Sequence, residues 1–426
     1  MSSNQPSRSG SLLSKILLVV AGLLTALVGA EVAYRIWLRI DERPYDQAAI
    51  RGELQGLLDE SNQLRSGLSS AQPQDGSRQR CVHPFLGFDV VESLEQIAAD
   101  QQRFAEGKDA RTFDILLLGG SVAAGFGNFG RARLRELLRE DPRFAQVNIQ
   151  LLSYARAAYK QPQQLITLSY LMNLGIRPDA VINLDGFNEV AISNENAHHG
   201  VHPLQPSIGE WASRNMTAVR DPQALEHLVE LRVAQSRVKE RADWALSSGL
   251  LWSSIGGTLV IRWVELERQR QVAVQGKAVE RMTGRSSSPV VRGPAFEGEL
   301  EEVLDLAVQS WRTSSRAMDA ICDREGIHYL HVLQPTLHEE GSKPLTRKER
   351  RVGKASAAWR NAVRTGYPLL RTAGGELREE GVAFLDATQA FAAQAETLYQ
   401  DPCHFSQEGQ RILAERIAEG FLASHP

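Results

Sequence analysis

The chain has 426 residues, of which 42% are hydrophobic and 23% are charged. This composition is ordinary for a globular protein and excludes a collagenous, a wholly disordered or a polytopic membrane protein. With 48 Lys and Arg against 51 Asp and Glu, the formal net charge is −3. Nucleic-acid binders usually carry a basic excess, so no nucleic-acid partner is expected. Three cysteines are too few for a disulfide scaffold.

The N-terminal segment determines where the protein is expected to reside. Residues 16–30 carry no charge, and the apolar stretch 12–30 approaches the roughly 20 residues that a membrane span requires. One interpretation is an uncleaved signal anchor, with Tyr34 and Trp37 as interfacial residues. The other is a cleaved secretory signal, because the small residues 28–30 (VGA) suit a signal peptidase. Both place the rest of the chain outside the cytoplasm, the first as a single-pass membrane protein.

Short apolar runs alternate with helical patterns in two parts of the chain. The alternation implies right-handed crossovers, and it therefore predicts an α/β fold with a doubly wound parallel sheet. Helices are predicted at 131–139 and 162–174, and Ser406 can cap a last helix near the C-terminus. The predicted strands are 113–118, 147–152, 180–184, 327–333 and 382–385.

A polar-rich stretch from about 194 to 298 interrupts this alternation with long helical patterns, and it is predicted to be a helical insertion or cap. Within it, 250–264 is apolar enough to contact a membrane, but its serines and threonine favour core packing. Residues 66–80 are predicted to be a linker. Five regions are predicted. They are a tail and signal helix at 1–40, a stalk and lead-in at 41–110, a first α/β part at 111–193, the insertion at 194–298 and a second α/β part at 299–426.

Two short motifs contain residues suited to acyl chemistry. Ser121 directly follows a predicted strand in LLGGS, and ligands of open α/β sheets collect beyond the carboxyl ends of strands. A serine hydroxyl needs a base, which His404 in DPCHF could supply. Asp401 could hold the other ring nitrogen and stabilise the imidazolium. Taken separately, the first motif could merely cap a helix and the second could be a surface turn.

A third motif, DGFNE at 185–189, ends another predicted strand. The side-chain amide of Asn188 could donate to an oxyanion, an interaction that can be worth ~2.7–4 kcal/mol of barrier. The backbone N–H of Ser121 would be a second donor. In order and placement, LLGGS, GFN and DPCH resemble the nucleophile, Gly-x-Asn and Asp-x-x-His blocks of the SGNH (GDSL-type) hydrolases. The resemblance covers about 114–192 and 299–421.

The resemblance implies a flavodoxin-like three-layer sandwich and a triad of Ser121, His404 and Asp401, with no cofactor. The family's second block supplies a glycine N–H as a third oxyanion donor, and by alignment Ala158 takes its place. Alanine adopts positive φ only at a cost. Ala158 is therefore expected either to have an ordinary φ or to leave its N–H misplaced. The family also usually has Asp where this chain has Gly120.

Other histidines and cysteines are given structural roles. HHGVH at 198–202 is crowded but lacks the fixed three or four ligands of a zinc site, so these histidines are expected to be solvated and no metal is expected. His328 and His331 are expected to be packed and hydrogen-bonded. In an oxidising compartment the cysteine of the last motif could form a disulfide, or it could be a buried free thiol. The cysteines are Cys81, Cys322 and Cys403.

The sequence leaves three functions open. The first is a membrane-anchored, extracytoplasmic serine esterase or O-acyltransferase, for which the family resemblance and the location suggest an acetylated cell-surface polysaccharide as substrate. The second is a lipid-directed esterase, a lysophospholipase or a thioesterase, with the helical insertion as a lid beside the bilayer. The third is a non-catalytic tethered module that binds envelope polysaccharide. Acyl-chain preference separates the first two, and labelling of Ser121 by a fluorophosphonate separates both from the third.

Overall fold

The structure is a computed structural model. It describes residues 9–41, 44–66, 80–109, 111–214, 222–283, 295–354 and 357–425. The linker predicted at 66–80 falls outside these residues except at its two ends. The chain divides into two compact units, one of Met1–Gln63 with Glu230–Val274 and the other of Leu64–Val229 with Gln275–Pro426. The domain boundaries expected from the sequence stay a prediction.

The helices of the described residues differ widely in length. In chain order they are α1 (Ser9–Ile40), α2 (Gln47–Ser66), α3 (Val91–Glu106), α4 (Ser121–Phe129), α5 (Arg131–Arg139), α6 (Gln163–Asn173), α7 (Phe187–His198), α8 (Ile208–Arg214), α9 (Pro222–Ser247), α10 (Ser254–Thr283), α11 (Leu300–Arg324), α12 (Arg347–Val352), α13 (Ala357–Glu379) and α14 (Gln407–Ser424).

A five-stranded parallel sheet lies in the larger unit, beside a small antiparallel pair of β1 (Arg80–His83) and β2 (Gly87–Val90). Its strands follow the spatial order β4-β3-β5-β6-β7, which is the flavodoxin-like order of a doubly wound sheet. This confirms the predicted α/β fold. The sheet strands are β3 (Thr112–Gly119), β4 (Asn148–Ser153), β5 (Ala180–Asp185), β6 (His328–Leu333) and β7 (Phe384–Asp386).

Burial on both faces explains why the strands have continuous apolar runs. Every residue of β5 is buried, and Ile115–Leu118 of β3 are at most 1% exposed. The observed strand ends lie within one or two residues of the predicted ones. Because all five strands are parallel, their carboxyl ends share one edge of the sheet. Residues that follow β3 and β5 therefore meet at that edge.

The smaller unit is helical and contains α1. Within Lys15–Ile40, an 18-residue window has a mean hydropathy of 2.4, and none of that window is buried. This helix is long and apolar enough to cross a membrane or to serve as a signal sequence. The segment 250–264 divides between two environments. Leu251 and Val260 belong to the core of the unit, as expected, whereas Trp252 is 73% exposed.

Candidate active site

Ser121 is the first residue of α4, and it follows Gly119, the last residue of β3, and Gly120. Gly119 has a φ of 137°, and a Cβ atom there would overlap the carbonyl oxygen of Leu184 on the adjacent β5. Only glycine combines this backbone conformation with such a close approach between the strands. The resulting sharp turn starts α4 at the carboxyl edge of the sheet. The nucleophile predicted from the sequence therefore lies where an open α/β sheet collects ligands.

The three predicted triad residues are joined by hydrogen bonds. Nε2 of His404 is 2.6 Å from Oγ of Ser121, and Nδ1 of the same ring is 2.6 Å from Oδ2 of Asp401. The other carboxylate oxygen, Oδ1, accepts the backbone N–H of His404 at 2.8 Å and that of Cys403 at 2.9 Å. Asp401 thus holds both the backbone and the ring of His404. This contact fixes the imidazole so that its second nitrogen faces the serine.

Electrostatics in the loop favour an ionised Asp401 beside a basic imidazole. Burial by itself would lower the pKa of His404, but the neighbouring Cys403 and Asp401 raise it well above its ordinary value. Burial raises the pKa of the Cys403 thiol, so the thiol is neutral and the Asp401 carboxylate is the charge that stabilises the imidazolium. Burial would raise the pKa of Asp401, but hydrogen bonds from His404 and the backbone lower it.

The loop that carries His404 is anchored to the segment after β6. The carbonyl oxygen of Pro402 accepts the Thr336 hydroxyl at 3.0 Å and the Leu337 N–H at 3.0 Å. The N–H of Gln400 donates to the carbonyl oxygen of His404 at 2.9 Å, which closes the loop on itself. These bonds tie the base to a second strand end of the same sheet.

Asn188 lies in the first turn of α7, directly after β5. Its Nδ2 donates to the carbonyl oxygen of Tyr159 at 2.8 Å. A side-chain amide has two hydrogens, so one remains for a substrate oxygen. A Cβ atom at Gly120 would overlap this Nδ2. Glycine at position 120 therefore allows the amide of Asn188 to lie against the turn that carries Ser121.

The backbone of Ala158 excludes the first of the two alternatives that the sequence left open, an ordinary φ. Its φ is 63°, so it does not have the ordinary backbone conformation expected of alanine. The cause is the turn over 156–159, closed by the Tyr159 N–H on the Arg156 carbonyl oxygen at 3.1 Å, whose third position requires positive φ. The N–H of Ala158 has no acceptor within the part of the chain that the structure describes. The turn therefore keeps the backbone that a glycine would have, at a cost of roughly 1–2 kcal/mol.

Glu189 is a site residue to which the sequence pattern alone assigned no role. Its carboxylate accepts the N–H of Gly186 at 2.7 Å, the N–H of Gln161 at 3.1 Å and Nε2 of Gln164 at 3.3 Å. Burial and the charge of Asp185 raise its pKa, whereas the backbone N–H groups that it accepts oppose this shift. Glu189 thus joins the start of α7, which carries Asn188, to the segment that follows Ala158. The sequence signal is a glutamate three residues after a helix cap.

A second Ser–His–Asp arrangement lies inside the larger unit. Nε2 of His331 is 2.9 Å from Oδ1 of Asp185, and Nδ1 is 2.8 Å from Oγ of Ser315. Trp311 donates to the same carboxylate oxygen at 2.7 Å. All four side chains are buried, with Ser315 fully inaccessible. This group belongs to the core, in line with the packed, hydrogen-bonded role expected for His331, and it cannot meet a substrate.

Among the described residues, one group of side chains lies close enough together to bind a metal ion. It consists of Asp401, Cys403 and His404, whose potential ligand atoms lie within 4.8 Å of one another. The hydrogen bonds of the triad already use the His404 and Asp401 atoms. Within HHGVH, the ring of His198 bonds to the Asn194 carbonyl oxygen at 2.7 Å. Among the described residues, no disulfide links Cys403 of the DPCH loop to Cys81 or Cys322.

No protein-family model matches the sequence, and no curated protein matches it either. A solved GDSL-like lipase from Bacteroides thetaiotaomicron is 8% identical, with 77% of this chain and 97% of that chain covered and a TM-score of 0.37. A mutant acetylxylan esterase from Geobacillus stearothermophilus is 9% identical, with 72% and 93% covered and a TM-score of 0.33. At these values the likeness assigns neither a family nor an activity to this chain.

Proposed function

We propose that the protein is a membrane-anchored, extracytoplasmic SGNH-type serine esterase or O-acyltransferase. The observation that carries the proposal is the 2.6 Å contact between Ser121 Oγ and His404 Nε2, with Asp401 on the other ring nitrogen. A hydroxyl, a base and its orienting carboxylate in one chain of hydrogen bonds are the parts that acyl transfer requires. The apolar helix α1 supports the anchoring and the exported location.

The first half of the reaction forms an acyl-enzyme. Ser121 Oγ attacks the carbonyl carbon of an ester while Nε2 of His404 takes the hydroxyl proton. The negative charge that develops on the carbonyl oxygen is met by the N–H of Ser121, the Asn188 amide and the N–H of Ala158. Asp401 stabilises the imidazolium meanwhile. When the tetrahedral intermediate collapses, His404 returns the proton to the departing alcohol oxygen and the acyl group stays on Ser121.

The second half transfers the acyl group to water or to a sugar hydroxyl. His404 removes a proton from this acceptor as its oxygen attacks the acyl carbon, and then returns the proton to Ser121 Oγ. Water gives hydrolysis, and a hydroxyl gives transfer. For the substrate we propose an ester of a short acyl group, with acetylated cell-surface polysaccharide as the first class to test, on the strength of the motif resemblance and the exported location.

The test uses the full chain in detergent and 4-nitrophenyl esters from acetyl to decanoyl. We expect turnover of the acetyl ester and labelling of Ser121 by a fluorophosphonate. Ser121→Ala should lose both, whereas Ser236→Ala, a serine of the smaller unit, should retain both. Equal turnover by Ser121→Ala would overturn the assignment. A rate that rises steeply toward the decanoyl ester would favour a lipid-directed enzyme, and a folded protein without labelling would favour a non-catalytic module.

A further inference from the structure

The helix α1 caps the first turn of α10. The carboxylate of Glu31 accepts the backbone N–H of Ser254 at 2.6 Å and of Ile255 at 3.2 Å, and the hydroxyl of Ser253 at 2.8 Å. The first N–H groups of a helix have no partner within it. Glu31 supplies acceptors for two of them from far earlier in the chain, so the start of α10 is tied to one turn of α1.

Further contacts hold the connection between α9 and α10 against the same part of the chain. The guanidinium of Arg35 donates to the Trp252 carbonyl oxygen at 3.1 Å, and the Tyr45 hydroxyl donates to the Leu251 carbonyl oxygen at 2.7 Å. Leu251 itself is buried in the core of the unit. We call residues 248–259 the hairpin tip. The tip is therefore held beside the turn of α1 from Glu31 to Arg35.

The turn from Glu31 to Arg35 comes directly after the apolar segment of α1. Residues 16–30 carry no charge, and Glu31 is the first ionisable residue after them. At 1.5 Å per residue, the turn from Glu31 to Arg35 rises about 6 Å. A bilayer that encloses 16–30 must therefore end close to the hairpin tip. For a bilayer that encloses 16–30, this position of the tip along α1 corresponds to the headgroup region.

The tip exposes large apolar side chains that the unit does not use for packing. Trp252 is 73% exposed, Leu259 64% and Leu250 42%. On α1, one turn beyond the capping contact, Ile36 is 54% and Trp37 51% exposed. Tryptophan is the residue that most favours the boundary between headgroups and acyl chains, because its ring is apolar and its N–H is polar. Exposed apolar groups clustered in this way mark a contact surface.

We propose that the hairpin tip inserts Leu250, Trp252 and Leu259 into the headgroup region of the bilayer that α1 enters. This second, shallow contact rests on the anchoring by α1 given under the proposed function. Its occupant is lipid, because the tip is continuous with the apolar segment of α1 and is held at the depth where that segment ends. The contact fixes the rotation of α1 about its own axis, since only one face of that helix carries the hairpin.

The experiment reconstitutes the full chain into phosphatidylcholine vesicles, with and without bromine on the acyl chains, and measures tryptophan emission. Bromine quenches tryptophans that reach the acyl boundary. Trp252 in the tip and Trp37 on α1 are expected there, so Trp252→Phe should measurably lower the quenched part of the emission. Trp359→Phe, on α13 of the larger unit, is the matched control and should leave it unchanged. Trp252 is exposed, so the phenylalanine variant removes no core contact.

The outcomes separate the two proposals. If the chain does not float with vesicles in a density gradient, the anchoring by α1 fails. If it floats but Trp252→Phe loses no quenching, or Trp359→Phe loses as much, the hairpin contact fails and the anchoring stands. If Leu250→Cys forms disulfide-linked dimers in the vesicles while Trp252 is unquenched, the tip faces a second copy of the chain, and the lipid contact is overturned.

Discussion

Oγ of Ser121 lies 2.6 Å from Nε2 of His404, although 283 positions separate the two residues in the chain. The sheet brings them together, because Ser121 follows β3 and the loop of His404 is bonded to the segment after β6. The hydroxyl thereby gains a base, and the base gains an orienting carboxylate in Asp401. The residues around this contact support it, so substituting them should change the activity or the stability of the protein.

Asp401→Asn should lower kcat roughly 10²–10⁴-fold and change the pH dependence. Asp401 raises the pKa of His404, and the base works only when it is unprotonated. Without the carboxylate the pKa falls, so the acid limb of kcat/KM should move to lower pH. The pH profile of 4-nitrophenyl acetate hydrolysis measures both effects. Glu408→Gln, an exposed acid of α14, should leave the profile in place, and an unmoved limb in Asp401→Asn would contradict the assignment.

Asn188→Ala should lower kcat by roughly 10²–10³-fold with KM little changed, because its amide donates to an oxygen whose charge develops during the reaction. Gly120→Ala should have a similar effect, since the added Cβ overlaps the Asn188 amide. If Gly120 acts through Asn188, the double variant should be no slower than Asn188→Ala alone. Additive losses would show that Gly120 has another role. Asn173→Ala, on α6, serves as the control.

Ala158→Gly should stabilise the fold by up to about 1 kcal/mol, because glycine adopts positive φ without the steric cost of a Cβ atom. The backbone N–H is retained, so turnover should be unchanged or higher. Ala157→Gly provides the matched comparison, because positive φ among the described non-glycine residues is confined to Ala158. That variant should lose about 0.5–1 kcal/mol. Urea unfolding measures both, and a destabilised Ala158→Gly would be inconsistent with a strained turn.

Glu189→Gln should lower kcat more than it raises KM, although Glu189 does not face the substrate. A glutamine side chain presents one carbonyl oxygen, so it cannot accept both the Gly186 and the Gln161 N–H groups as the carboxylate does. The start of α7 and the turn of Ala158 would then lose their common support. Glu195→Gln, on the same helix, is the control. A change in stability with unaltered kcat would make Glu189 structural only.

Zinc should inhibit the enzyme, and a chelator should not. Asp401, Cys403 and His404 place their ligand atoms within 4.8 Å, and the His404 atom that faces the other two is Nδ1. A zinc ion bound there would replace the hydrogen bond between Nδ1 and Asp401, and its charge would make Nε2 a poorer base for Ser121. The thiol and the imidazole must lose protons to bind, so inhibition should weaken as the pH falls. Cys403→Ala should reduce zinc sensitivity and retain turnover. Loss of activity with chelator alone would point instead to a required metal.

The sheet could be predicted from the sequence because its strands are buried on both faces. A run such as FDILLL, ended by Gly119, is typical of a strand in the middle of a parallel sheet. The helix α4 was harder to predict, because Gly125 and Gly127 are poor helix formers. The structure explains why residue 127 is a glycine, since a Cβ atom at Gly127 would lie 2.6 Å from the Ser153 hydroxyl. Tight packing against a neighbouring strand end leaves no periodic signal in the sequence.

The candidate site likewise contains some residues that could be predicted from the sequence and others that could not. Ser121, Asn188 and His404 could be found because acyl chemistry restricts their residue types and because LLGGS, GFN and DPCH follow the order of the SGNH blocks that they resemble. The backbone of Ala158 could not be predicted, because alanine usually avoids positive φ and residues 156–159 (RAAY) contain no glycine to mark the turn that imposes it. Glu189 lies within the DGFNE motif, but its role depends on Gln161, whose position beside α7 follows from the fold rather than from spacing.

The order of the site residues along the chain has a consequence for biosynthesis. During synthesis, Ser121 emerges long before His404, because His404 is added 283 positions later. Until the DPCH loop docks on the sheet, the serine is an ordinary alcohol that has no base to activate it. Reactivity therefore switches on only in the finished, folded protein.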